Sequence, residues 1–459
     1  MILVLGAGIA GLSASYHIGH KKCLLLESQD RPYGHIGNVQ RDGFTWDQGP
    51  HVSFTKNEYV KKLFEKSVGG QYQELSAKVS NYYQGHWITH PAQTSLYQIP
   101  EPLRSSCLES FLKIRSEGSN ANIKNYQNWL DHAFGPLFSK VFASVYTEKY
   151  WTLPPSELTT EWVGDRILFP SIQDVTNGAI RMHEKSMHYI SDMRYPTYGG
   201  FSSFANVLEF GANIRYGAEV TSIDLLNKVV YLINGEKITY KKLINTLPLP
   251  IFMNALVNVP TSVTQATRDL TCTQALLVNV AAPHASARNE HWAYVYDEEM
   301  LTARINCVEK LSPNNAPEGW TGMQAEVYFS RHKPLSMPPN LVGEQVEREL
   351  VKMGFLKPEQ YRAGQTSHRH IKYVPWANVV FQHNTASSLE KIWMWLEGFG
   401  LKREWDDLHP LTNWNEEVVQ APVESSIFMA GRFGQWKYYW TDDCVLRGKR
   451  ISEFIRDNL

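Results

Sequence analysis

The sequence predicts an α/β fold in which a parallel βαβ domain is interleaved with an antiparallel-sheet domain and a mostly helical lobe. Three observations predict it. A short apolar strand, Ile2 to Leu5, runs into a glycine-rich turn and a helix; residues 58–190 show helical periodicity with many aromatic side chains; and later segments read as short strands between turns. At 459 residues, the chain is long enough for two or three domains of roughly 100–200 residues each.

The composition excludes several classes of protein. Lysine and arginine total 45 against 46 aspartate and glutamate, so the chain lacks the basic bias of a nucleic-acid-binding protein. The 5 cysteines are scattered without a Cys-x-x-Cys pair that could bind zinc or exchange thiols, which favours reduced thiols and a cytoplasmic location. No stretch of 18 or more apolar residues is present, so we expect no membrane-spanning segment. A homodimer is compatible with these data.

The first element is a nucleotide-binding turn. Gly6 to Gly11 form the pattern Gly-x-Gly-x-x-Gly between a strand and a helix, the context in which the turn binds the pyrophosphate of a dinucleotide. Glu27 ends the second strand 16 residues after Gly11. At that position its carboxylate can accept hydrogen bonds from ribose hydroxyls and would repel the 2′-phosphate of NADP. The pattern alone leaves NAD and FAD open. The candidate cofactor residues here are Gly6, Gly8, Ile9, Ala10, Gly11, Glu27 and Ser28.

The remaining elements predict a discontinuous organisation. Residues 1–55, 196–250 and 425–459 are predicted to form the cofactor domain; short strands follow Ile214, and a last strand and helix run from Ser426 to about Ile455. Residues 56–195 are predicted to be the helical lobe. Residues 251–424 are predicted to be a substrate-binding sheet domain, because the stretches 276–281, 293–296, 301–308 and 323–329 suggest a largely antiparallel sheet.

A second motif follows the βαβ start. The stretch from Glu27 to Asn38, with Arg31 and Gly34, and the stretch from Asp42 to His51 resemble the second FAD fingerprint of the flavin amine oxidase and protoporphyrinogen oxidase superfamily. The resemblance implies a Rossmann-like FAD-binding domain of the glutathione-reductase-2 type, with Arg31, Gly49, Pro50 and His51 at the cofactor. The family usually has adjacent glycines after its arginine, whereas Gly34 is followed here by His35.

Further segments resemble one branch, the UDP-galactopyranose mutases and their protoporphyrinogen-oxidase-like relatives. The run from Tyr146 to Trp151 is similar to a mutase segment Tyr-Thr-x-Lys-x-Trp, and Gly431 to Tyr438 is similar to the C-terminal mutase run Gly-Arg-x-x-x-Tyr-x-Tyr. The resemblance implies that Arg304 and Tyr438 lie at the substrate diphosphate and Arg432 by the flavin. It also implies cofactor positions for the following residues: Val220, Gly431, Arg432, Tyr438, Trp440 and Thr441.

This chain departs from the mutase pattern at two places that bear on substrate. Trp436 replaces the first tyrosine of the C-terminal run, and Trp440 stands where the mutases usually carry an acid. Both departures leave the sugar and the base open.

The candidate catalytic residues each have a plainer alternative. A nucleotide-sugar diphosphate needs arginines that bind phosphate bidentately, a role for Arg304 and Arg432, with Tyr438 completing the shell; Arg304 could instead pair with Glu326. Trp151 could close the sugar pocket or pack in the core. His51 could lie beside the flavin. Arg166 could contact substrate or form an ion pair. No catalytic triad or metal-ligand set is present in the sequence pattern.

Three hypotheses of function remain. The first is a FAD-dependent nucleotide-sugar mutase of polysaccharide biosynthesis, which the resemblance implies would interconvert pyranose and furanose through a flavin N5–sugar adduct. The second keeps the fold but oxidises a C–N or C–O centre of a sugar or amine. The third is a flavin-binding protein without catalysis.

Overall fold

The computed structural model describes residues 1–116, 122–184, 187, 191–283, 288–362, 369–403 and 425–456. Parts of the two predicted ranges 251–424 and 425–459, notably residues 404–424 and 457–459, lie outside the described residues. Within the described ranges, no helix combines the length and apolar character needed to cross a membrane.

Nineteen strands are described. They are β1 (Ile2–Leu5), β2 (Cys23–Leu26), β3 (Asn38–Arg41), β4 (Phe44–Asp47), β5 (Tyr72–Ser76), β6 (Val79–Tyr83), β7 (His86–Thr89), β8 (Asp192–Pro196), β9 (Ile214–Arg215), β10 (Val220–Asp224), β11 (Val229–Leu232), β12 (Lys237–Thr239), β13 (Lys242–Asn245), β14 (Thr271–Pro283), β15 (Trp292–Val295), β16 (Arg304–Cys307), β17 (Trp320–Phe329), β18 (His370–Val380) and β19 (Ile427–Met429).

Fifteen α-helices accompany them in the described residues. They are α1 (Ile9–Ile18), α2 (Glu58–Ser67), α3 (Leu103–Ser116), α4 (Tyr126–Phe134), α5 (Pro136–Phe138), α6 (Ser144–Tyr150), α7 (Ile172–Ile180), α8 (Asn206–Glu209), α9 (Leu249–Ala255), α10 (Thr261–Asp269), α11 (Val308–Leu311), α12 (Pro339–Lys352), α13 (Pro358–Arg362), α14 (Thr385–Glu397) and α15 (Thr441–Arg456).

A parallel sheet of five strands carries the glycine-rich turn. Its order is β19-β13-β1-β2-β9, so it joins strands from residues 1–55, 196–250 and 425–459, the three segments predicted to form one domain. All four residues of both β1 and β2 are buried, as expected of parallel strands that are covered on both faces. The turn after β1 therefore starts from a rigid, central strand.

Helix α15 packs along α1 and fixes its position. The Ser13 hydroxyl donates to Val445 O at 2.6 Å, and a Cβ added at Gly448 would lie 2.5 Å from Ala14 N. Only glycine allows the two backbones this close. The last helix of the chain thus positions the first, whose N-terminus follows the glycine turn.

The second large sheet has seven strands in the order β18-β14-β17-β16-β15-β6-β7. Its core strands β14 and β17 pair antiparallel over ten residues each, from Gln274 opposite Phe329 to Pro283 opposite Trp320. The strands predicted near residues 276–281, 293–296, 301–308 and 323–329 all belong to it. The long edge strand β18 is not in the sequence prediction.

Residues 58–190, predicted to be mostly helical, also contain three strands. Tyr72–Ser76, Val79–Tyr83 and His86–Thr89 are extended, and the last two form a hairpin through Gln84 and Gly85, both with positive φ. A two-residue turn of that geometry is a hairpin signal. The run of aromatic side chains obscured it, because aromatic residues suit a pleated sheet as well as a helix surface.

Candidate active site

A single large cavity connects the glycine turn with the seven-stranded sheet and the helical residues around α6. Its volume is about 860 Å³, within the roughly 300–1,000 Å³ typical of ligand sites. Gly6 and Gly8 line one end, and Tyr328 and Asn378 of the large sheet line another. A ligand in this cavity would touch residues from all three predicted domains.

The turn at one end has the geometry expected of a pyrophosphate site. Gly6 has a φ of +95°, and a Cβ at Gly11 would lie 2.1 Å from Gly6 O, so both positions require glycine for conformation or packing. Gly8 is different. Its φ is −70°, and a Cβ there would meet only Gly34 Cα, at 3.9 Å. Neither strain nor packing demands glycine at residue 8, whereas the close approach of a ligand phosphate does.

Glu27 is held against the turn. Its Oε2 accepts from Ala7 N–H at 2.9 Å and its Oε1 from Gln29 N–H at 3.0 Å. Each carboxylate oxygen accepts more than one hydrogen bond, so these backbone bonds orient Glu27 and leave it able to accept ribose hydroxyls.

Most of the predicted site residues line the cavity. They are Gly6, Gly8, Ile9, Ala10, Glu27, Arg31, Gly49, Pro50, His51, Trp151, Arg304, Gly431, Arg432, Tyr438, Trp440 and Thr441. Gly11, Ser28 and Val220 do not line it. Gly11 packs closely against the backbone of Gly6 in the turn. Ser28 is exposed after β2. Val220 lies in the small sheet β10-β11-β12, where it packs on the core.

Arg304 forms a bidentate ion pair with Glu326 inside the cavity. The two residues face each other across β16 and β17, with Nε to Oε2 and Nη2 to Oε1 both at 2.8 Å. Tyr328 donates its hydroxyl to Glu326 Oε2 at 2.7 Å. Burial alone would lower the pKa of Arg304, but Glu326 and Tyr328 raise it well above its ordinary value. Arg304 therefore pairs with Glu326, the alternative raised from the sequence, and this ion pair fixes the guanidinium at the cavity wall.

A second group of cations lies at the C-terminal run from Gly431 to Tyr438. Arg432 Nε donates to Tyr439 O at 2.8 Å and its guanidinium lies 4.6 Å from the centre of the Tyr438 ring. Arg166 Nη2 donates to Tyr438 O at 2.6 Å, and its guanidinium lies 4.7 Å from the centre of the Trp440 ring. Arg166 thus ties the helical region to this run, and Trp440, in place of the family's acid, packs on its charge.

Aromatic side chains form a wall at the end of the cavity lined by Tyr150, Tyr328 and Asn378, which we call the inner cavity. Tyr146 and Tyr150 stack with ring centres 5.7 Å apart, and Tyr328 lies 4.8 Å from Tyr150. Trp151 lies 5.3 Å from Tyr438 and 4.9 Å from Trp162. The sequence interpretation missed all of these except Trp151 and Tyr438. The i, i+4 spacing of the two tyrosines before Trp151 was the available signal, because that spacing puts both on one helix face.

Two histidines meet beside these groups. The rings of His35 and His51 are 5.8 Å apart, edge to face. His51 Nδ1 lies 3.1 Å from Gly49 O; a carbonyl only accepts, so Nδ1 carries the proton and Nε2 is an acceptor. Burial lowers the pKa of His35 to about 3 and that of His51 to about 4, so both rings are neutral at pH 7. His35, which replaces a glycine of the motif, therefore adds a second neutral imidazole to the cavity.

The cavity has an excess of positive charge. Among the described lining residues, the cations are Arg31, Arg166, Arg304, Lys372 and Arg432, and the acids are Glu27, Glu326 and Asp442. Burial raises the pKa of Asp442, Glu27 belongs to the glycine turn, and Glu326 is matched by Arg304. The lining charges of the cavity therefore favour an anionic ligand.

These residues fit FAD. The turn from Gly6 to the start of α1 offers backbone N–H groups for a pyrophosphate, Glu27 offers acceptors for ribose, and the open space at Gly8 suits a close phosphate. We expect Gly49, His51 and Arg432 to lie nearest the flavin, which would supply nucleophilic or redox chemistry that no side chain here has.

Comparison with known proteins identifies the family. The profile of the family described as flavin containing amine oxidoreductase matches residues 9–455. Among curated proteins, a zeta-carotene-forming phytoene desaturase of Myxococcus xanthus is 40% identical over 53 residues, 11% of this chain and 10% of the desaturase. A 4,4′-diapophytoene desaturase of Staphylococcus haemolyticus is 34% identical over 68 residues, 14% of this chain and 13% of that enzyme. The chain thus aligns with only a small part of each desaturase.

Solved structures match along the whole chain. A reduced UDP-galactopyranose mutase superposes with a TM-score of 0.87 at 19% identity, covering 100% of this chain and 96% of the mutase. A protoporphyrinogen oxidase-like protein from Exiguobacterium gives 0.69 at 15% identity, with 100% and 99% coverage, and a putrescine oxidase gives 0.59 at 10%, with 99% and 98% coverage. These likenesses establish the α/β fold predicted from the sequence. The chain belongs to the flavin-containing amine oxidoreductase family and is a FAD-dependent enzyme of that superfamily.

Proposed function

We propose that the protein is a FAD-dependent nucleotide-sugar mutase, interconverting pyranose and furanose rings in cell-surface polysaccharide biosynthesis. The observation that carries the proposal is the set of cations that line the cavity, Arg166, Lys372 and Arg432, beside the Arg304–Glu326 pair. A nucleoside diphosphate carries two negative charges, and arginine binds phosphate oxygens bidentately. The fold likeness to UDP-galactopyranose mutase supports the same substrate class.

Each group has a physical role in this proposal. Arg432 and Arg166, both in contact with the Tyr438 ring, bind the diphosphate and stabilise the charge that grows on it as the sugar is released. Glu326 holds Arg304 in one orientation, which reduces the entropy lost on binding. The aromatic wall of Tyr146, Tyr150 and Trp151 excludes water from the sugar. Bound flavin supplies the chemistry at the anomeric carbon.

The second candidate is an oxidoreductase acting on a C–N or C–O centre. Two observations favour it: Glu326 neutralises Arg304, and Trp440 replaces the family's acid with a ring that packs on Arg166. Together with the aromatic wall, they would suit a less charged substrate. The two candidates differ in the flavin redox state that each requires.

The test is an anaerobic incubation of the FAD-loaded enzyme, oxidised or dithionite-reduced, with UDP-galactopyranose and other nucleotide sugars. The mutase predicts turnover only in the reduced sample, giving an isomer of equal mass. Bleaching of the oxidised flavin with a product two hydrogens lighter would replace the mutase by the oxidoreductase.

A pair of arginine variants tests the site within the same assay. Arg432→Met should lower kcat by about 10²–10³-fold, since it removes a charge aimed at the leaving diphosphate. Arg41→Met, which removes an exposed arginine paired with Asp42 outside the cavity, is the matched control and should leave kcat unchanged.

A further inference from the structure

Asn378 is a buried polar side chain that is only half satisfied. It lies in β18, is 2% exposed and lines the cavity. Its Oδ1 accepts the Tyr150 hydroxyl at 3.1 Å, while Nδ2 has no hydrogen-bond partner in the described part of the chain. A buried amide donor left unpaired is destabilising, so the position calls for a partner from elsewhere.

The assignment of oxygen and nitrogen does not change this conclusion. If the amide were turned over, Nδ2 would donate to the Tyr150 oxygen and Oδ1 would be left without a partner. Either orientation leaves one amide atom directed to something other than the protein atoms described.

Neutral hydroxyl groups lie next to Asn378, and the charges of Arg304 and Arg432 act on Tyr150 from further away. The Tyr150 hydroxyl lies 3.4 Å from the Tyr438 hydroxyl, and burial raises the pKa of Tyr150 well above its ordinary value, so it stays protonated. Thr273 faces Asn378 directly across β14 and β18, and its hydroxyl is also buried without a partner among the described residues. The Asn378 amide and the Tyr150 and Tyr438 hydroxyls thus lie together in the cavity, whereas Thr273 does not line it.

The surroundings identify the kind of ligand. The rings of Tyr146 and Tyr328 flank Tyr150, and the neighbouring residues of β14 and β18 that line the cavity include Ala275, Trp376 and Ala377, which are apolar. A phosphate needs cations; Arg166 and Arg432 lie against the Tyr438 ring, whereas Asn378 is hydrogen-bonded to the neutral Tyr150 hydroxyl. A sugar hydroxyl both donates and accepts, and the C–H face of a sugar ring packs on aromatic rings.

We propose that Asn378 is a substrate-binding residue whose amide hydrogen-bonds a hydroxyl of the sugar ring, with the Tyr150 hydroxyl holding the amide in place. The proposal rests on the proposed function, since it places the sugar of the nucleotide sugar against β18. In this proposal different residues bind the two halves of the substrate. The arginines bind the diphosphate, and Asn378 hydrogen-bonds the sugar.

The test measures binding without turnover. The dissociation constants of UDP and of UDP-galactopyranose are measured from the absorbance change of bound oxidised FAD in the wild type, Asn378→Leu and Tyr150→Phe. Leucine has a similar volume but no amide, and phenylalanine keeps the ring that packs on Tyr146. As a control, Asn289→Leu changes an exposed asparagine that does not line the cavity.

Asn378→Leu should weaken the binding of UDP-galactopyranose about three- to tenfold, the range for one neutral hydrogen bond. The affinity for UDP should not change. Tyr150→Phe should have a smaller effect of the same kind. Urea denaturation of each variant verifies folding. If Asn378→Leu leaves the affinity for UDP-galactopyranose unchanged, the amide holds only a buried water and the inference is overturned; equal loss for UDP and UDP-galactopyranose overturns it as well. If the wild type binds neither ligand, the proposed function fails and this inference fails with it.

Discussion

Replacing Glu326 by leucine should destabilise the protein strongly. Glu326 is buried, with its side chain 2% exposed, and it accepts two hydrogen bonds from Arg304, whose side chain is 20% exposed, and one from Tyr328. Removing one partner of a buried ion pair costs about 3–5 kcal/mol, because the other charge is left in a poorly solvated place. We expect a loss near 3 kcal/mol, because the partial exposure of Arg304 lets water solvate it.

The assay is urea denaturation at pH 7.5, followed by tryptophan fluorescence, on the apoprotein. Four proteins complete a double-mutant cycle: wild type, Arg304→Met, Glu326→Leu and the double variant. The double variant should be far more stable than the sum of the single losses predicts, because apolar side chains of similar volume replace the pair without leaving a charge unpaired.

The control uses an exposed ion pair of the same types. Arg215 and Glu236 have side chains 41% and 43% exposed, and Glu236→Leu should change stability by no more than about 0.5–1 kcal/mol. If Glu326→Leu costs no more than this control, or if the two single losses simply add, the pair does not have the energetics argued here and Arg304 is not fixed by Glu326.

Three other predictions concern packing, pH and charge. Gly448→Ala should lower the free energy of unfolding by about 1–3 kcal/mol, because the added methyl group overpacks against Ala14. It should also lower the ratio of bound FAD to protein measured by absorbance. An unchanged ratio and an unchanged urea midpoint would show that α15 can shift freely. Because the folded pKa values of His35 and His51, about 3 and about 4, lie below the unfolded value, the unfolded chain takes up more protons as the pH falls from 7 to 5. The free energy of unfolding should therefore decrease over that window, by up to about 2 kcal/mol per imidazole, and the double Gln variant should give a flatter pH profile; identical profiles would contradict it. Arg166→Lys keeps the charge but loses the planar fork, so isothermal titration should show UDP binding about tenfold weaker, and unchanged binding would place the diphosphate elsewhere.

The sequence predicted what local patterns encode. The glycine turn, Glu27 and the strand and helix around them could be placed from the sequence, because the spacing of glycines within six residues reflects backbone geometry that those residues alone decide. Arg304, Arg432 and Tyr438 could be proposed only from resemblance, since an isolated arginine or tyrosine carries no sign of its surroundings. The hairpin at Gln84 and Gly85 had a local signal that the aromatic residues around it masked.

The inner cavity was decided by the tertiary structure. Tyr150 and Asn378 are 228 residues apart in sequence and share a hydrogen bond; Arg166 and Tyr438 are 272 apart and do the same. No periodicity or spacing links such positions, because their contact depends on how the seven-stranded sheet, α6 and the C-terminal run pack together. The sequence by itself determined a βαβ nucleotide turn and the family pattern, since both are read from neighbouring residues. Only the fold decided which charges are paired, which rings form the wall and which buried amide is left for a ligand, because burial and distance are properties of the packed chain.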